Sequence, residues 1–321
     1  MCTAISFDSN GLYFGRTLDN DFSFGEKVTV TPRNFPLEFR KAGRLDSHFA
    51  IIGMAFVKDN YPLYYDAMNE YGLCMAGLNF VGNAVYNEPT DGKYNIAQFE
   101  LLPWILAKCR NVDEACRLLD KTNITNEAFS TDLPASQLHW LVADKNRTVT
   151  VECTADGMKI YDNRLGVLTN NPPFDKQVEN YKKYFYLSAK DPEDFVYKEG
   201  YYSKGVGAIG LPGDLTSQSR FVRAAFLKNN SVTGNSKNES VNSFFHIMNS
   251  VEQQRGCCVF DNDKYEITVY TSCCSADNGI YYYTTYGNHR ISAVDMNKEN
   301  LDSERLVCYT LIKNERIEMQ N

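Results

Sequence analysis

Apolar and polar positions in the first eighty residues alternate in short runs broken by turn signals. CTAISF and LYFGRTL are apolar-rich and flank Asp8-Ser9-Asn10-Gly11. An Asn-Gly pair between two such runs predicts a β-hairpin. VTVTP, AIIGMAFV, PLYYDAMN and GLCMAGLNF follow at short intervals and predict a meander. The period then changes. IAQFELLPWILAKC and VDEACRLLDK carry apolar residues at helical spacing, with Asn111 placed to cap the second. LHWLVAD and RTVTVEC return to strand across Lys145-Asn146. Helical spacing resumes at FDKQVENYKKYFYL, after Pro172-Pro173, and again at SRFVRAAFLKN and VNSFFHIMNSV. YEITVYT, GIYYYTTYG, RISAVDM and RLVCYT close the pattern as strands.

Strands thus enclose helices in chain order, which fits an α+β domain with two antiparallel sheets and segregated helices better than βαβ winding. No composition break divides the chain, and the polar stretch 229–240 is too short to mark a boundary, so residues 1–321 read as a single domain. The glycine cluster GVGAIGLPGD at 205–214 lacks a P-loop lysine, and no GxGxxG opens a helix after a strand. Hydrophobic residues make up 43% of the chain, enough for a globular core. A net charge of −7 and a pI near 5.3, with no basic stripe, exclude nucleic acid as a partner. No apolar run approaches the roughly 20 residues that span a bilayer, and the first twenty residues lack a signal-peptide pattern. The expected address is the cytoplasm, with no membrane contact.

Ten cysteines fit that address, and none sits in a CxxC pair. No zinc or redox motif is expected, and nine of the ten read as buried thiols serving as small apolar residues. Cys2 is the exception. A residue this small at position 2 permits removal of Met1, so the active chain is expected to begin at Cys2. A thiol attacks as thiolate and needs a base or a depressed pKa. Of the four histidines, His139 and His246 lie in apolar elements, His48 in a polar run and His289 in a turn-like GNHR. None carries a local Cys–His signature. An α-amine titrates near ~8 and lies a few bonds from the Cys2 thiol, so it can take that proton and return it to a leaving amine. If the hairpin pairs, Arg16 and Asp19 in FGRTLDND return toward Cys2. The arginine would stabilise a thiolate and the carboxylate would hold the amine.

MCTAISF, YFGRTLD, TPRNF, NEYGLCMAGLNF, LTNNPPFD, GLPGDLTSQSRFVRAAF and IYYYTTYGN together resemble the conjugated bile salt hydrolases. These belong to the choloylglycine hydrolase group, whose other branch is the penicillin V acylases. The likeness runs nearly end to end. It implies an N-terminal nucleophile hydrolase fold, with two antiparallel sheets stacked in αββα layers and helices on the outer faces. It also implies a cytoplasmic homotetramer without metal or organic cofactor. Cys2 matches the family nucleophile and base, Arg16 the arginine beside the thiol, and Asp19 the aspartate near the amine. Asn79 in AGLNF and Asn170 in LTNNPPF match positions that stabilise the oxyanion. Arg223 in SRFVRAAF matches a buttressing arginine, and the motif puts Arg223 rather than Arg220 in the site. The implied substrate is a conjugated bile salt, with Leu18, Tyr65, Phe129 and Leu133 as candidate walls of an apolar acyl pocket.

Two positions depart from the family pattern: Thr17 replaces the usual asparagine of GRNLD, and Asn20 stands where an apolar residue is expected. Both bear on substrate preference. Penicillin V, other N-acyl amides such as acyl homoserine lactones, and non-catalytic bile-acid binding are the competing readings. Asn79 favours bile salts over penicillin V.

Overall fold

The computed structural model describes residues 1–192, 204–260 and 263–321. Two large sheets dominate it. The six-stranded sheet runs, edge to edge, Val167–Leu168, Cys2–Asp8, Leu12–Asn20, Ile267–Ser275, Ile280–Thr285 and Asn288–Asp295. The eight-stranded sheet runs Gly157–Asp162, Thr148–Thr154, Leu138–Ala143, Cys74–Asn79, Tyr61–Asn69, Ile51–Lys58, Lys27–Thr31 and Val307–Thr310. Both are antiparallel between these neighbours.

Among the described residues, five α-helices complete the layers: α1 (Leu101–Lys108), α2 (Val112–Leu119), α3 (Phe174–Tyr181), α4 (Ser217–Asn230) and α5 (Lys237–Asn249). Helix α1 seals the outer face of the eight-stranded sheet, with Leu101, Trp104 and Ile105 buried among Ile51, Ala67, Met75 and Trp140. Helices α4 and α5 pack on the strands Cys2–Asp8, Leu12–Asn20 and Ile267–Ser275 of the other sheet. A continuous core joins Phe221, Phe244 and Met248 of these helices to Ile5 and Phe14, and on to Ile52, Met54 and Met68 of the facing sheet. This is the αββα order that the resemblance implies.

The N-terminal hairpin sets the site. Asn10 and Gly11 take positive φ, 53° and 131°, as the turn requires. The strands pair with Cys2 opposite Leu18 and Ala4 opposite Arg16. Side chains alternate along a strand, so Cys2 and Arg16 are diagonal neighbours on one face while Thr3, Thr17 and Asp19 share the other. At Gly15 a Cβ would collide with the carbonyl of Ser272, so the glycine lets the third strand close on the hairpin.

Two elements differ from their sequence patterns. Ile96 and Ala97, read as helix, belong to a strand, Tyr94–Ala97, that pairs in parallel with Thr122–Thr125. Tertiary pairing overrides their helical spacing, and the helix starts only at Leu101. The polar stretch 229–240 is half helical: α4 runs through Asn230, a short connection covers 231–236, and Ser236 with Glu239 forms a capping box that opens α5 at Lys237. Asn111 caps α2 by accepting the N–H of Glu114 at 2.9 Å.

Candidate active site

Cys2 is 2% exposed and its Sγ contacts the Arg16 guanidinium. Arg16 is locked on its other nitrogens: Nε donates to the Thr17 carbonyl at 3.0 Å and Nη1 to the Gly77 carbonyl across the sheet interface. Burial opposes its charge, but Cys2, Tyr270, Asp66 and Asp19 outweigh burial and raise its pKa above the ordinary arginine value. The cation is therefore fixed in place and pointed at the sulfur.

Asn170, two residues past the edge strand Val167–Leu168 that pairs with Cys2–Asp8, holds the nitrogen of Cys2. That nitrogen donates to Asn170 Oδ1 at 2.8 Å, and Arg220 Nη2 donates to the same oxygen at 2.9 Å. Asn170 Nδ2 donates to the Asn79 carbonyl at 2.8 Å, which fixes the rotamer with its oxygen toward Cys2. Ser217, in the first turn of α4, takes the Asn170 backbone N–H at 2.8 Å. Asn170 is thus seen as an acceptor for the Cys2 nitrogen, while the expected role was oxyanion donor. The Asn79 side chain makes no hydrogen bond among the described residues and lines the adjacent cavity, where an amide donor is free for an oxyanion.

Asp19 is 2% exposed. Its carboxylate accepts from Thr268 Oγ1 at 2.7 Å and from Thr17 Oγ1 at 3.2 Å. Burial pushes its pKa above the ordinary carboxylate value, against the pull of the terminal ammonium, Arg220 and Arg16. Met1 is present here. Its ammonium donates to the Asp19 carbonyl at 2.7 Å and pairs with the Glu266 carboxylate.

The two arginines of α4 exchange the places expected of them. Arg220 is fully buried and donates to the Cys2 carbonyl and to Thr3 Oγ1, at 2.5 and 2.6 Å. Arg223 reaches Ser250, Pro212 and Asp214 carbonyls instead, at 2.7, 2.8 and 3.1 Å, and ties α4 to its flanking loops. Three residues apart, both point broadly toward one side of the helix. The helix runs along the hairpin, and it is Arg220, in its earlier turn, whose guanidinium meets Cys2 and Thr3.

A cavity of about 550 Å³ opens beside Cys2 and Arg16. Leu18, Tyr65, Phe129 and Leu133 all line it, as does Asn20. Sequence reasoning missed further walls: Phe22 and Phe24, half-exposed with rings 4.5 Å apart, and Phe56, Leu63 and Phe99. The aromatic spacing of FSF directly after the hairpin was the available signal. Among the described residues, no group of three or more His, Cys, Asp or Glu side chains is placed to hold a metal ion. All ten cysteines are free thiols, but Cys257 and Cys308 are exposed and Cys116 and Cys258 only partly buried, so the buried reading does not hold for those four.

Comparison with known proteins agrees with this geometry. Residues 2–309 match the model of the linear amide C–N hydrolases, choloylglycine hydrolase family. The chain is 51% identical to the bile salt hydrolase/transferase of Lactiplantibacillus plantarum, over 97% of each chain. It is 39% identical to the bile salt hydrolase/transferase of Clostridium perfringens, over 96% of each. The crystal structure of the C2A mutant conjugated bile acid hydrolase from Clostridium perfringens superposes with a TM-score of 0.92 at 37% identity, covering all of both chains. Penicillin V acylase from Agrobacterium tumefaciens shares the fold, with a TM-score of 0.77 at 20% identity over 98% of this chain and 94% of that one. With its nucleophile candidate at position 2 of a two-sheet αββα fold, the chain belongs to the choloylglycine hydrolase family of linear amide C–N hydrolases.

Proposed function

We propose that the protein hydrolyses the amide that joins glycine or taurine to the steroid acid of a conjugated bile salt. The observation that carries this reading is the buried Cys2 thiol against Arg16, at the edge of an apolar, aromatic-walled cavity of about 550 Å³. That cavity suits a broad rigid body with one polar end. The curated relatives named for bile salts support the choice of steroid.

The mechanism follows from the contacts. Removal of Met1 would turn the Cys2 nitrogen into an α-amine held by Asn170 Oδ1, with Asp19 close by. The amine takes the thiol proton, and Arg16 stabilises the thiolate. Sulfur attacks the amide carbonyl, and negative charge gathers on its oxygen, where the Asn79 carboxamide is available to donate. The tetrahedral intermediate collapses to a thioester on Cys2 as the ammonium returns the proton to departing glycine or taurine. Water, deprotonated by the same amine, then releases the free bile acid. Residues 1–321 act in this reading as one domain, in the cytoplasm and as a homotetramer. No helix among the described residues is long and apolar enough to cross a membrane. Sedimentation of the purified protein tests the assembly.

The deciding experiment measures amine release from glycocholate and taurocholate beside penicillin V at equal concentration. Clear excess on the bile salts is expected. Excess on penicillin V would move the protein to the acylase branch despite Asn79, and tight bile-salt binding without turnover would make it a binding protein.

A further inference from the structure

Asp66 takes no part in the steps above, yet it is fully buried in the middle of the molecule. It sits on the strand Tyr61–Asn69 of the eight-stranded sheet and reaches across to the six-stranded one. Its Oδ1 accepts the Tyr270 hydroxyl at 2.7 Å. Its Oδ2 accepts the hydroxyls of Ser272 and Tyr281, at 2.8 and 2.7 Å. Ser272 Oγ is also the acceptor for the Arg16 backbone N–H at 3.1 Å. Of the two acceptors within reach of the serine's own proton, Asp66 at 2.8 Å is nearer than the Arg16 carbonyl at 3.4 Å. Three hydroxyl donors converge on one carboxyl, which is the arrangement of a carboxylate rather than an acid. Burial holds the carboxyl's pKa above the ordinary carboxylate value, and Arg16 and the three hydroxyls, which favour the charged form, offset it only in part. Both phenols are held well above the ordinary tyrosine value by burial, so they keep their protons as donors.

We propose that Asp66 is a buried anion that balances Arg16 from behind and thereby sets the acidity of the Cys2 thiol. It is a positioning residue: it touches neither Cys2 nor the cavity and acts through Arg16. The groups that bear on Cys2 are then its own α-amine once Met1 is removed, Arg16 at the sulfur, Arg220 at the carbonyl oxygen, Asn170 at the nitrogen, and Asp19 and Glu266 around the N-terminus. Those facing Asp66 are Arg16, Tyr270, Ser272, Tyr281 and the buried Cys274 thiol. Arg16 contacts the sulfur and Arg220 the carbonyl oxygen of the same residue, and both cations favour the thiolate. An overly acidic thiolate is a poor nucleophile, because nucleophilicity falls as pKa falls. The carboxylate keeps the thiol deprotonable yet reactive.

The inference rests on Cys2 as the reactive thiol, and its test needs no bile salt. The rate of iodoacetamide alkylation is followed as a function of pH and mapped to the Cys2 peptide by mass spectrometry. That mapping separates it from the exposed Cys257 and Cys308. Asp66→Asn should lower the pH midpoint of Cys2 alkylation by about half a unit or more. It should also lower the alkaline plateau rate by roughly two- to threefold. Should that variant not fold, Tyr270→Phe with Tyr281→Phe keeps the carboxyl but removes two of its three donors. The carboxyl then takes a proton more readily, and a smaller downward shift is expected. A carboxyl that merely staples the sheets would change thermal stability and leave the midpoint alone. An unmoved or raised midpoint in the variant that folds overturns the proposal. If the wild type alkylates at Cys2 but cleaves no bile salt, the substrate reading falls and the inference is still decided by the midpoint.

Discussion

The N-terminal hairpin has a cavity at each end, and the two could hardly differ more. At the open end lies the apolar cavity of Cys2, Arg16 and the aromatic walls. At the turn end, a cavity of about 430 Å³ is lined by Asp8, Asp144, Lys145, Arg147, Asp162, Arg164 and Lys228. The turn end carries more charge, but much of it is already engaged. Arg164 pairs with Asp162 at 3.1 Å, Arg147 with Asp113 at 2.8 Å, and Lys228 donates to the Leu165 carbonyl at 2.6 Å. Burial brings the Lys228 amine down to about 8, but no reacting partner faces it. At the open end, the strand register stacks one nucleophile against a cation whose remaining donors are already committed to backbone carbonyls. Volume and charge do not separate the two ends; preorganised pairing does.

The comparison breaks most completely at Cys2. Cys2→Ala should abolish amide hydrolysis with little change in the circular dichroism or melting temperature. Cys2→Ser should be severely impaired, since a hydroxyl is far harder to deprotonate than a thiol of pKa ~8.5. Amine release from glycocholate is the measurement. Full activity in either variant would move the chemistry elsewhere.

The two arginines of α4 sharpen it next. Arg220→Met removes charged donors from the Cys2 carbonyl and from Asn170. Hydrogen bonds to charged groups are worth about 1.5–3 kcal/mol, so kcat should fall roughly 10- to 150-fold. Arg223→Met should lower the melting temperature and leave kcat within a few-fold, because its partners are loop carbonyls. Steady-state kinetics on both variants decide between them.

This pair also shows what the sequence could carry. Asn10-Gly11 and the flanking alternation announce the hairpin, and the hairpin brings Arg16 back to Cys2. Local signals sufficed there because the partners lie 14 residues apart. The choice between Arg220 and Arg223 depends on which turn of α4 meets a strand some 200 residues away, and helical spacing treats the two alike. Asp66 was illegible for the same reason. PLYYDAMN reads as a strand, but its three hydroxyl partners arrive from strands more than 200 residues later. Ile96 and Ala97 followed a helical period until a parallel partner, Thr122–Thr125, claimed them.

The walls of the open end should respond through KM. Leu133→Ala removes apolar surface from the cavity, at about 25 cal/mol per Å², and should raise KM for glycocholate severalfold with a smaller change in kcat. A fall in kcat at constant KM would instead make Leu133 an orienting residue.

Asp19 ties the open end to stability. Its pKa is raised on folding by burial, so the folded state binds its proton more tightly than the unfolded one. Its contribution to stability is then greatest below the ordinary value of 3.8 and is lost as pH rises through the folded pKa. Asp19→Asn carries no such cost. The melting temperature of the variant relative to wild type should therefore rise between pH 3.5 and pH 7, while activity falls. A difference that shrinks with pH would mean that the pull of the terminal ammonium, Arg220 and Arg16 exceeds burial.

The smallest effect belongs to the turn end. Arg164→Ala removes a side chain 92% exposed whose partner, Asp162, is itself half-exposed. Exposed pairs contribute about 0–1 kcal/mol and are screened by salt, so stability should barely move. Activity should stay within about twofold, because the effect would have to travel the length of a strand whose core positions Ala4 and Ile5 are fully buried and close-packed. Glycocholate kinetics at low and high salt give the measurement. A larger loss at low salt than at high salt would show that the charged cavity feels the catalytic end electrostatically, and the two ends of the hairpin would no longer be independent.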